Sequence, residues 1–359
     1  MKLLKFTSII FYSMKKLKLS IYLLMISALS ACVKDKPQEL ISGNVSINAD
    51  SKVLIVNEGN YGWGEGSISI YDASSGAIVE NYYKQQNSNA SLGNVCQSIK
   101  KYNNHYYLVI NNSNKIVVTD ADNFVKTATI SGFKSPRYFL PIAYNKAYVS
   151  DLNANTLQIV DLNTNTIFGF IPCMKGTEEM EVIYNKAFIT NTNSNYCYVV
   201  NTNSDAITDS ILIGKGSSSI VIDKNAKVWI LARGSGTSNE FGKLVRINPL
   251  TLQIEQSLSF NSDDSPHHLR INKTRDTLYY LNKGVHQCLI SCLSLPTTPI
   301  ISQNSKIFYG LGVNPKDYNI YVSDAIDYTQ KSKIEIYKPN GNLVTKFNAG
   351  VISNGFCFE

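Results

Sequence analysis

Short polar segments between the apolar runs of the chain hold the side chains that could do chemistry. They combine basic, acidic, imidazole and phenol groups, a mixture that suits a large amphipathic ligand with several polar arms. The candidates are Arg137 and Tyr138 in "SGFKSPRYF", Glu178 in "CMKGTEEMEV", Asp264, His267 and His268 in "NSDDSPHHL", and Tyr309 in "NSKIFYGLGV". We expect these segments to meet at the mouth of a channel.

Three longer loops carry further candidates. "NEGNYGWGEGS" places Tyr61 and Trp63 among glycines, "ARGSGTSNEFGKL" holds Arg233 and Phe241, and "SDAIDYTQKSK" holds Tyr328. Binding residues concentrate on long loops of rigid scaffolds, and aromatic rings offer flat apolar contact area with a polar handle. These loops are therefore predicted to contact the ligand. The alternative is that Trp63 folds back over the neighbouring strands as a local plug.

Enzymatic chemistry has weaker support in the sequence. A lactonase-like hydrolase with a central Ca²⁺ would need carboxylates and an Asn from several repeats, but only segments 178–181 and 263–264 are acidic. His267 and His268 suit Zn or Ni, yet neighbours on a strand should point to opposite faces and not share an ion. The "GWGEG" string has no helix after it to hold a phosphate. We predict no catalytic residue, metal or cofactor; a hydrolase, or a lyase using His267 or His268, is the alternative.

An internal repeat must position these residues. Seven stretches share an aromatic-apolar strand ending in a polar residue, a polar loop and an alternating strand. They begin at residues 53, 107, 147, 187, 228, 278 and 320, with spacings between 40 and 54 residues. A period near 40 residues with several short strands per unit is typical of a β-propeller. The sequence therefore predicts an all-β fold over residues 52–359: a seven-bladed β-propeller of four-stranded antiparallel blades.

The two ends of the repeat region indicate how the ring closes. No innermost strand precedes "VLIVN" in the first repeat, and the chain finishes with "NGFCFE", an innermost strand with nothing after it. We expect the C-terminal strand to complete the first blade, which would leave no long edge unpaired.

The repeats resemble those of YncE-like seven-bladed propellers, whose blades read "YVxN/D", loop, "xVxVID". The opening "NEGN…GSISIYD" is similar to the first blade of a group of surface lipoproteins of Gram-negative bacteria. Some of these capture vitamin B12-type corrinoids above an outer-membrane transporter. The resemblance implies a corrinoid as the leading ligand, with His267 or His268 as a candidate axial ligand of its cobalt. An oligosaccharide or a peptide also fits the candidate residues.

The N-terminal segment predicts export. Residues 1–31 contain a basic stretch, a short apolar stretch and small residues, the pattern of a signal peptide. "LSAC" resembles the lipobox of bacterial lipoproteins, which implies lipidation at Cys32 and a tether over residues 32–51. Several acyl chains would anchor the protein stably to a membrane.

Charge and cysteine content limit the alternatives. The chain has 34 basic and 27 acidic residues; the signal peptide removes five lysines and no acid, leaving a net charge of +2 and no support for nucleic-acid binding. Cys288 and Cys292 are four residues apart on a predicted strand, too far apart for an easy disulfide. Most cysteines are expected to be small buried apolar residues.

Together these features predict an exported ligand-binding protein, lipid-anchored at the outer membrane and exposed at the cell surface. It would capture a corrinoid or another large polar ligand and deliver it to a partner transporter. A propeller enzyme and a scaffold that binds protein or glycan at the surface are the alternatives.

Overall fold

Seven four-stranded antiparallel sheets form the described part of the chain. A computed structural model describes residues 49–236 and 240–359. The sheets are the blades of a β-propeller, so the predicted fold class is confirmed. The proposed signal peptide and Cys32 lie outside the described residues, as does most of the proposed tether.

Blade 1 contains strands from both ends of the described chain. It consists of β1 (Lys52–Asn57), β2 (Ser67–Asp72), β3 (Ile78–Val79) and the last strand, β28 (Ser353–Phe358). Blade 2 consists of β4 (Cys96–Tyr102), β5 (His105–Ile110), β6 (Lys115–Asp120) and β7 (Lys126–Ser131). Blade 3 consists of β8 (Pro136–Ala143), β9 (Lys146–Asp151), β10 (Thr156–Asp161) and β11 (Thr166–Pro172).

The other four blades follow in chain order. Blade 4 consists of β12 (Thr177–Ile183), β13 (Lys186–Asn191), β14 (Tyr196–Asn201) and β15 (Ala206–Leu212). Blade 5 consists of β16 (Ser217–Ile222), β17 (Val228–Ala232), β18 (Lys243–Ile247) and β19 (Ile254–Ser259). Blade 6 consists of β20 (His267–Ile271), β21 (Thr277–Leu281), β22 (Gly284–Leu289) and β23 (Ile301–Ser302). Blade 7 consists of β24 (Phe308–Val313), β25 (Ile320–Asp324), β26 (Lys331–Tyr337) and β27 (Leu343–Val351).

Helical structure is minor in the described ranges. It comprises α1 (Tyr82–Gln86) and 3-10 turns at Ala49–Ser51 and Asn111–Ser113. None of the helices in residues 49–236 and 240–359 has the length and apolar character needed to cross a membrane.

Burial explains why the repeat was visible in the sequence. The second strand of each blade is covered on both faces by the adjacent blades, so it reads as a continuous apolar run. In blade 5 this strand includes Trp229, which is fully buried. Outer strands such as β11 alternate between exposed residues and residues that are at least half-buried, as expected at the rim.

The last strand closes the ring. β28 pairs antiparallel with β1, opposing Val53 to Phe358 and Leu54 to Cys357. The ring of Tyr321 in blade 7 contacts Phe356 and Phe358 edge to face, with centroids 5.6 and 5.2 Å apart. The C-terminal strand therefore links blade 1 to blade 7, and the predicted closure is confirmed.

The expectation for Cys288 and Cys292 is wrong. A disulfide joins them, with Cα atoms 6.2 Å apart. β22 ends at Leu289, and the chain turns there because the N–H of Cys292 donates to the Leu289 carbonyl at 2.9 Å. The turn brings the two thiols together, whereas a straight strand would have kept them apart.

Candidate functional site

A β-bulge near the start of every inner strand turns polar residues into the centre of the ring. In each case the inner strand has one more residue than the facing stretch of its partner. The residues at these bulges that reach the centre are Gln97, Arg137, Tyr138, Glu178, Glu179, Ser218, His268, Tyr309 and Asn354. All seven blades thus contribute a polar side chain at an equivalent backbone position.

These residues line a cavity of about 720 Å³ at one face of the propeller. Inner strands begin and second strands end at this face, so the cavity also receives Glu58, Thr192, Arg233 and Asn282. The volume lies within the range that small-molecule sites occupy. We call this face the cavity face.

Arg137 and Glu178 form a buried ion pair in the cavity wall. Nε of Arg137 donates to both carboxylate oxygens of Glu178, at 2.9 and 3.1 Å, and the guanidinium also donates to Gln97. Burial raises the pKa of Glu178 even though Arg137 opposes the shift. Burial disfavours the charge of Arg137, but the pairing outweighs it and the pKa of the guanidinium is raised. The pair holds both side chains in fixed positions.

A second ion pair links blades 4 and 6 across the cavity wall. Arg270 donates to Glu179 at 3.0 Å, and its Nε donates to the Leu311 carbonyl at 3.2 Å. Glu179 also accepts a hydrogen bond from the N–H of Ile220 at 3.3 Å. The wall therefore connects blades 4, 5, 6 and 7 through one carboxylate and one guanidinium.

Glu58 is a cavity residue that the sequence reasoning missed. It directly follows β1, and its carboxylate accepts hydrogen bonds from Nδ2 of Asn354 at 2.7 Å and from the Tyr309 hydroxyl at 3.1 Å. Burial raises its pKa, although both hydrogen bonds oppose the shift. Its position could have predicted this role, because an acid at the end of a second strand lies where the chain reaches the channel.

His267 and His268 line the same cavity, so the expectation that they point to opposite faces is wrong. Their ring centroids are 5.2 Å apart and the rings meet edge to face. His268 lies in the bulge of β20 with φ 54°, and this left-handed residue breaks the alternation of the strand. Burial lowers the pKa of both imidazoles, most strongly that of His268. The Nδ1 atom of His268 is buried and has no hydrogen-bond partner among the described residues.

The loop at residues 58–66 presents its aromatics to solvent. Trp63 is 95% exposed and Tyr61 is 73% exposed, so the alternative of a local plug is wrong. Asn94 holds the loop by accepting from the N–H of Gly62 at 3.1 Å and donating to the carbonyls of Asn60 and Gly64. The loop is therefore an ordered feature of the cavity face.

The candidates predicted from sequence divide into three groups. The larger group shares the central cavity: Arg137, Tyr138, Glu178, Arg233, His267, His268, Tyr309 and Tyr328. Phe241 and Asp264 line a smaller cavity of about 160 Å³, which Arg233 borders too. Tyr61 and Trp63 line none of the described cavities. Six of the eight candidates in the central cavity belong to inner strands and not to the crossing loops in which they were expected: Arg137, Tyr138, Glu178, His267, His268 and Tyr309.

Within the described ranges, no group of three or more His, Cys, Asp or Glu side chains is arranged to hold a metal ion. The wall instead offers hydrogen-bond donors and acceptors of both charge signs, fixed by mutual contacts. Such a surface can recognise a polar ligand without rearranging its own side chains.

Comparison with protein families gives one match over the whole propeller. A family model described as a domain of unknown function, DUF5074, matches residues 52–358. No curated protein matches the chain.

Solved structures share the fold at low sequence identity. A quinonprotein alcohol dehydrogenase-like protein from Bacteroides thetaiotaomicron VPI-5482 is 14% identical with a TM-score of 0.68, over 86% of this chain and 78% of that chain. A putative 6-phosphogluconolactonase from Bacteroides fragilis NCTC 9343 is 12% identical with a TM-score of 0.66, over 87% and 99%. A functionally unknown protein from Desulfotomaculum acetoxidans DSM 771 is 11% identical with a TM-score of 0.64, over 86% and 98%. At these identities the likeness concerns the fold alone.

Proposed function

The chain belongs to the DUF5074 family, and we propose that it is a binding protein that captures a polar ligand in the central cavity. The observation that carries this proposal is the ring of bulge residues, through which all seven blades turn polar side chains into one cavity of about 720 Å³. The ion pairs in the wall fix several of these side chains before any ligand arrives, which lowers the entropic cost of binding.

We further propose a corrinoid as the ligand. The resemblance of "NEGN…GSISIYD" to corrinoid-capturing lipoproteins supports this choice. The carboxamide arms of a corrinoid need both donors and acceptors, and the cavity wall supplies both. A macrocycle too large to enter fully would lie across the cavity face, where Tyr61, Trp63 and Tyr328 are exposed.

Absorbance titration with cyanocobalamin tests this proposal. Binding should shift the visible bands of the corrinoid, and Trp63→Ala should weaken the affinity about 10-fold, since one aromatic contact contributes roughly 1 kcal/mol or more. Phe168→Ala is the matched control, because Phe168 is an exposed aromatic on the outer strand β11. The corrinoid proposal fails if wild-type protein shows no binding at millimolar cyanocobalamin.

We propose export and anchoring through Cys32 at the outer membrane, with a transporter as the recipient of the ligand. The "LSAC" motif and the preceding apolar stretch support this location. Cys32→Ala should move the protein from the membrane fraction to the soluble fraction and abolish labelling by radioactive palmitate. Unchanged membrane association of that variant would contradict the anchor.

We also propose that the ligand leaves chemically unchanged. The enzymatic alternative uses His267 or His268 as an acid or base, and their shared position in the cavity favours it over other catalytic schemes. NMR spectra of ligand incubated with protein should show no new signals. A product that disappears with His268→Ala would establish the enzyme instead.

A further inference from the structure

Glu58 differs from the other glutamates of the cavity wall in its partners. Glu178 pairs with Arg137 and Glu179 pairs with Arg270. Within residues 49–236 and 240–359, no Lys, Arg or His lies within 4.0 Å of the Glu58 carboxylate, which accepts only from Tyr309 and Asn354. Arg137 stabilises the Glu58 charge from beyond 4.0 Å, but its Nε is held by both carboxylate oxygens of Glu178, so no cation contacts the half-buried Glu58 carboxylate directly.

Asn354 adds a second acceptor beside Glu58 that has no donor. Its Nδ2 donates to Glu58 at 2.7 Å and to the Gln97 carbonyl at 2.8 Å, so both of its hydrogens are used. Its Oδ1 is buried without a hydrogen-bond partner in the part of the chain that the structure describes. The residue is only 6% exposed and lines the cavity. A donor that enters the cavity beside Asn354 could satisfy this acceptor if the side-chain amide turns toward it.

Two tyrosines complete this sector of the wall. The rings of Tyr309 and Tyr328 meet edge to face with centroids 5.7 Å apart, and both line the cavity. The Tyr309 oxygen donates to Glu58 and can still accept a hydrogen bond. Aromatic rings also attract cations through their faces.

We propose that Glu58, Asn354, Tyr309 and Tyr328 form a subsite for a protonated primary amine. An ammonium group has three donors, and the subsite offers three acceptors: a Glu58 oxygen, Asn354 Oδ1 and the Tyr309 oxygen. Its charge would supply the cation in direct contact that Glu58 lacks. The inference rests on the proposed function in that the central cavity is the ligand site, and it adds an organic amine to the ligands that this cavity would take.

A matched pair of probes tests the subsite in wild-type protein. Cyclohexylmethylamine and cyclohexylmethanol have nearly the same shape and differ in an ammonium against a hydroxyl group. Isothermal titration calorimetry at neutral pH should give at least 10-fold tighter binding of the amine. Equal affinities, or no amine binding at 10 mM, would overturn the subsite without any need for a variant.

Glu58→Gln then measures how much the negative charge of Glu58 contributes to amine binding. This variant keeps the size and the hydrogen-bond acceptor, and it should bind the amine about as weakly as the alcohol. Glu65→Gln is the control, because Glu65 lies in the same loop, is exposed and pairs with Lys84 outside the cavity. An amine preference that survives Glu58→Gln would overturn the role of Glu58.

Cyanocobalamin carries no protonated amine, so its binding tests the proposed function without testing the amine subsite. Amine preference that is lost in Glu58→Gln supports the subsite whether or not the corrinoid binds. Binding of cyanocobalamin without any amine preference leaves capture intact and overturns the subsite.

Discussion

Nε of Arg137 lies 2.9 and 3.1 Å from the two carboxylate oxygens of Glu178, and the bond joins the inner strands of blades 3 and 4. The Glu178 side chain is almost fully buried. Removing one partner of such a pair leaves the other charge buried and uncompensated.

We expect Glu178→Gln to lower the free energy of unfolding by about 3 kcal/mol, as measured by urea denaturation. Glu65→Gln is the control, because the Glu65–Lys84 pair is exposed and should contribute less than about 1 kcal/mol. Equal losses for the two variants would show that the buried pair contributes no more than a surface pair.

Removal of residues 355–359 should destabilise the whole ring. The deletion takes away the pairing of β28 with β1 and the contacts of Phe356 and Phe358 with Tyr321, so the loss should be about 3 kcal/mol or more. Hydrogen exchange should then accelerate in blades 1 and 7 together. Val344→Ala, on an exposed position of blade 7, should stay within about 0.5 kcal/mol of wild type. Faster exchange confined to the last residues would contradict closure by this strand.

Two glycines of one loop provide a matched test of its geometry. Gly59 and Gly62 both have φ 74°, but a Cβ on Gly59 would lie 2.2 Å from the Glu65 carbonyl oxygen, whereas a Cβ on Gly62 meets nothing within 4 Å. Gly62→Ala should cost about 1 kcal/mol, the penalty of a left-handed alanine. Gly59→Ala should cost at least twice as much by thermal denaturation, because the backbone must also move. Equal costs would mean that the loop packs less tightly than described.

His268 should make the fold less stable as the pH falls. Burial lowers the pKa of this imidazole in the folded state, so below the ordinary histidine pKa of about 6.5 the unfolded chain binds a proton that the folded chain refuses. In that range the free energy of unfolding falls by about 1.4 kcal/mol per pH unit for each proton that only the unfolded chain binds.

His268→Gln removes this proton, so between pH 7 and pH 5 the variant should lose less stability than wild type. The raised pKa values of Glu58, Glu178 and Glu181 act in the opposite direction, and they cancel when the two proteins are compared. Parallel pH profiles of the melting temperature would contradict the prediction.

The number of blades and the ring closure could be predicted from the sequence, because burial determines the residue types of the strands. Second strands such as β17 are covered on both faces and therefore read as unbroken apolar runs, which revealed the number of blades. The missing inner strand of the first repeat and the surplus strand at the end predicted the closure. Polar residues of the crossing segments, such as Arg137, Glu178 and Tyr309, were correctly expected near the channel.

Features that depend on a one-residue shift in strand register could not be predicted from the sequence. A bulge shifts pairing by a single position and leaves no compositional signal, so the shared orientation of His267 and His268 was mispredicted. Cys288 and Cys292 were placed on one straight strand because the end of β22 at Leu289 is not marked by Gly or Pro. Glu58 is one of two acids in a glycine-rich loop, and only its position directly after β1 distinguishes it from Glu65.

The seven bulges separate the side chains of the central cavity from the hydrogen-bond ladder of the strands. At each bulge one residue is surplus to the strand ladder, and equivalent positions already accept an amide, a guanidinium, a carboxylate, a hydroxyl, an imidazole and a phenol. Exchanging these side chains, with charged partners exchanged together, should therefore change the cavity wall while every blade keeps its register. The same positions are the natural sites for redesigning the chemistry of the cavity wall.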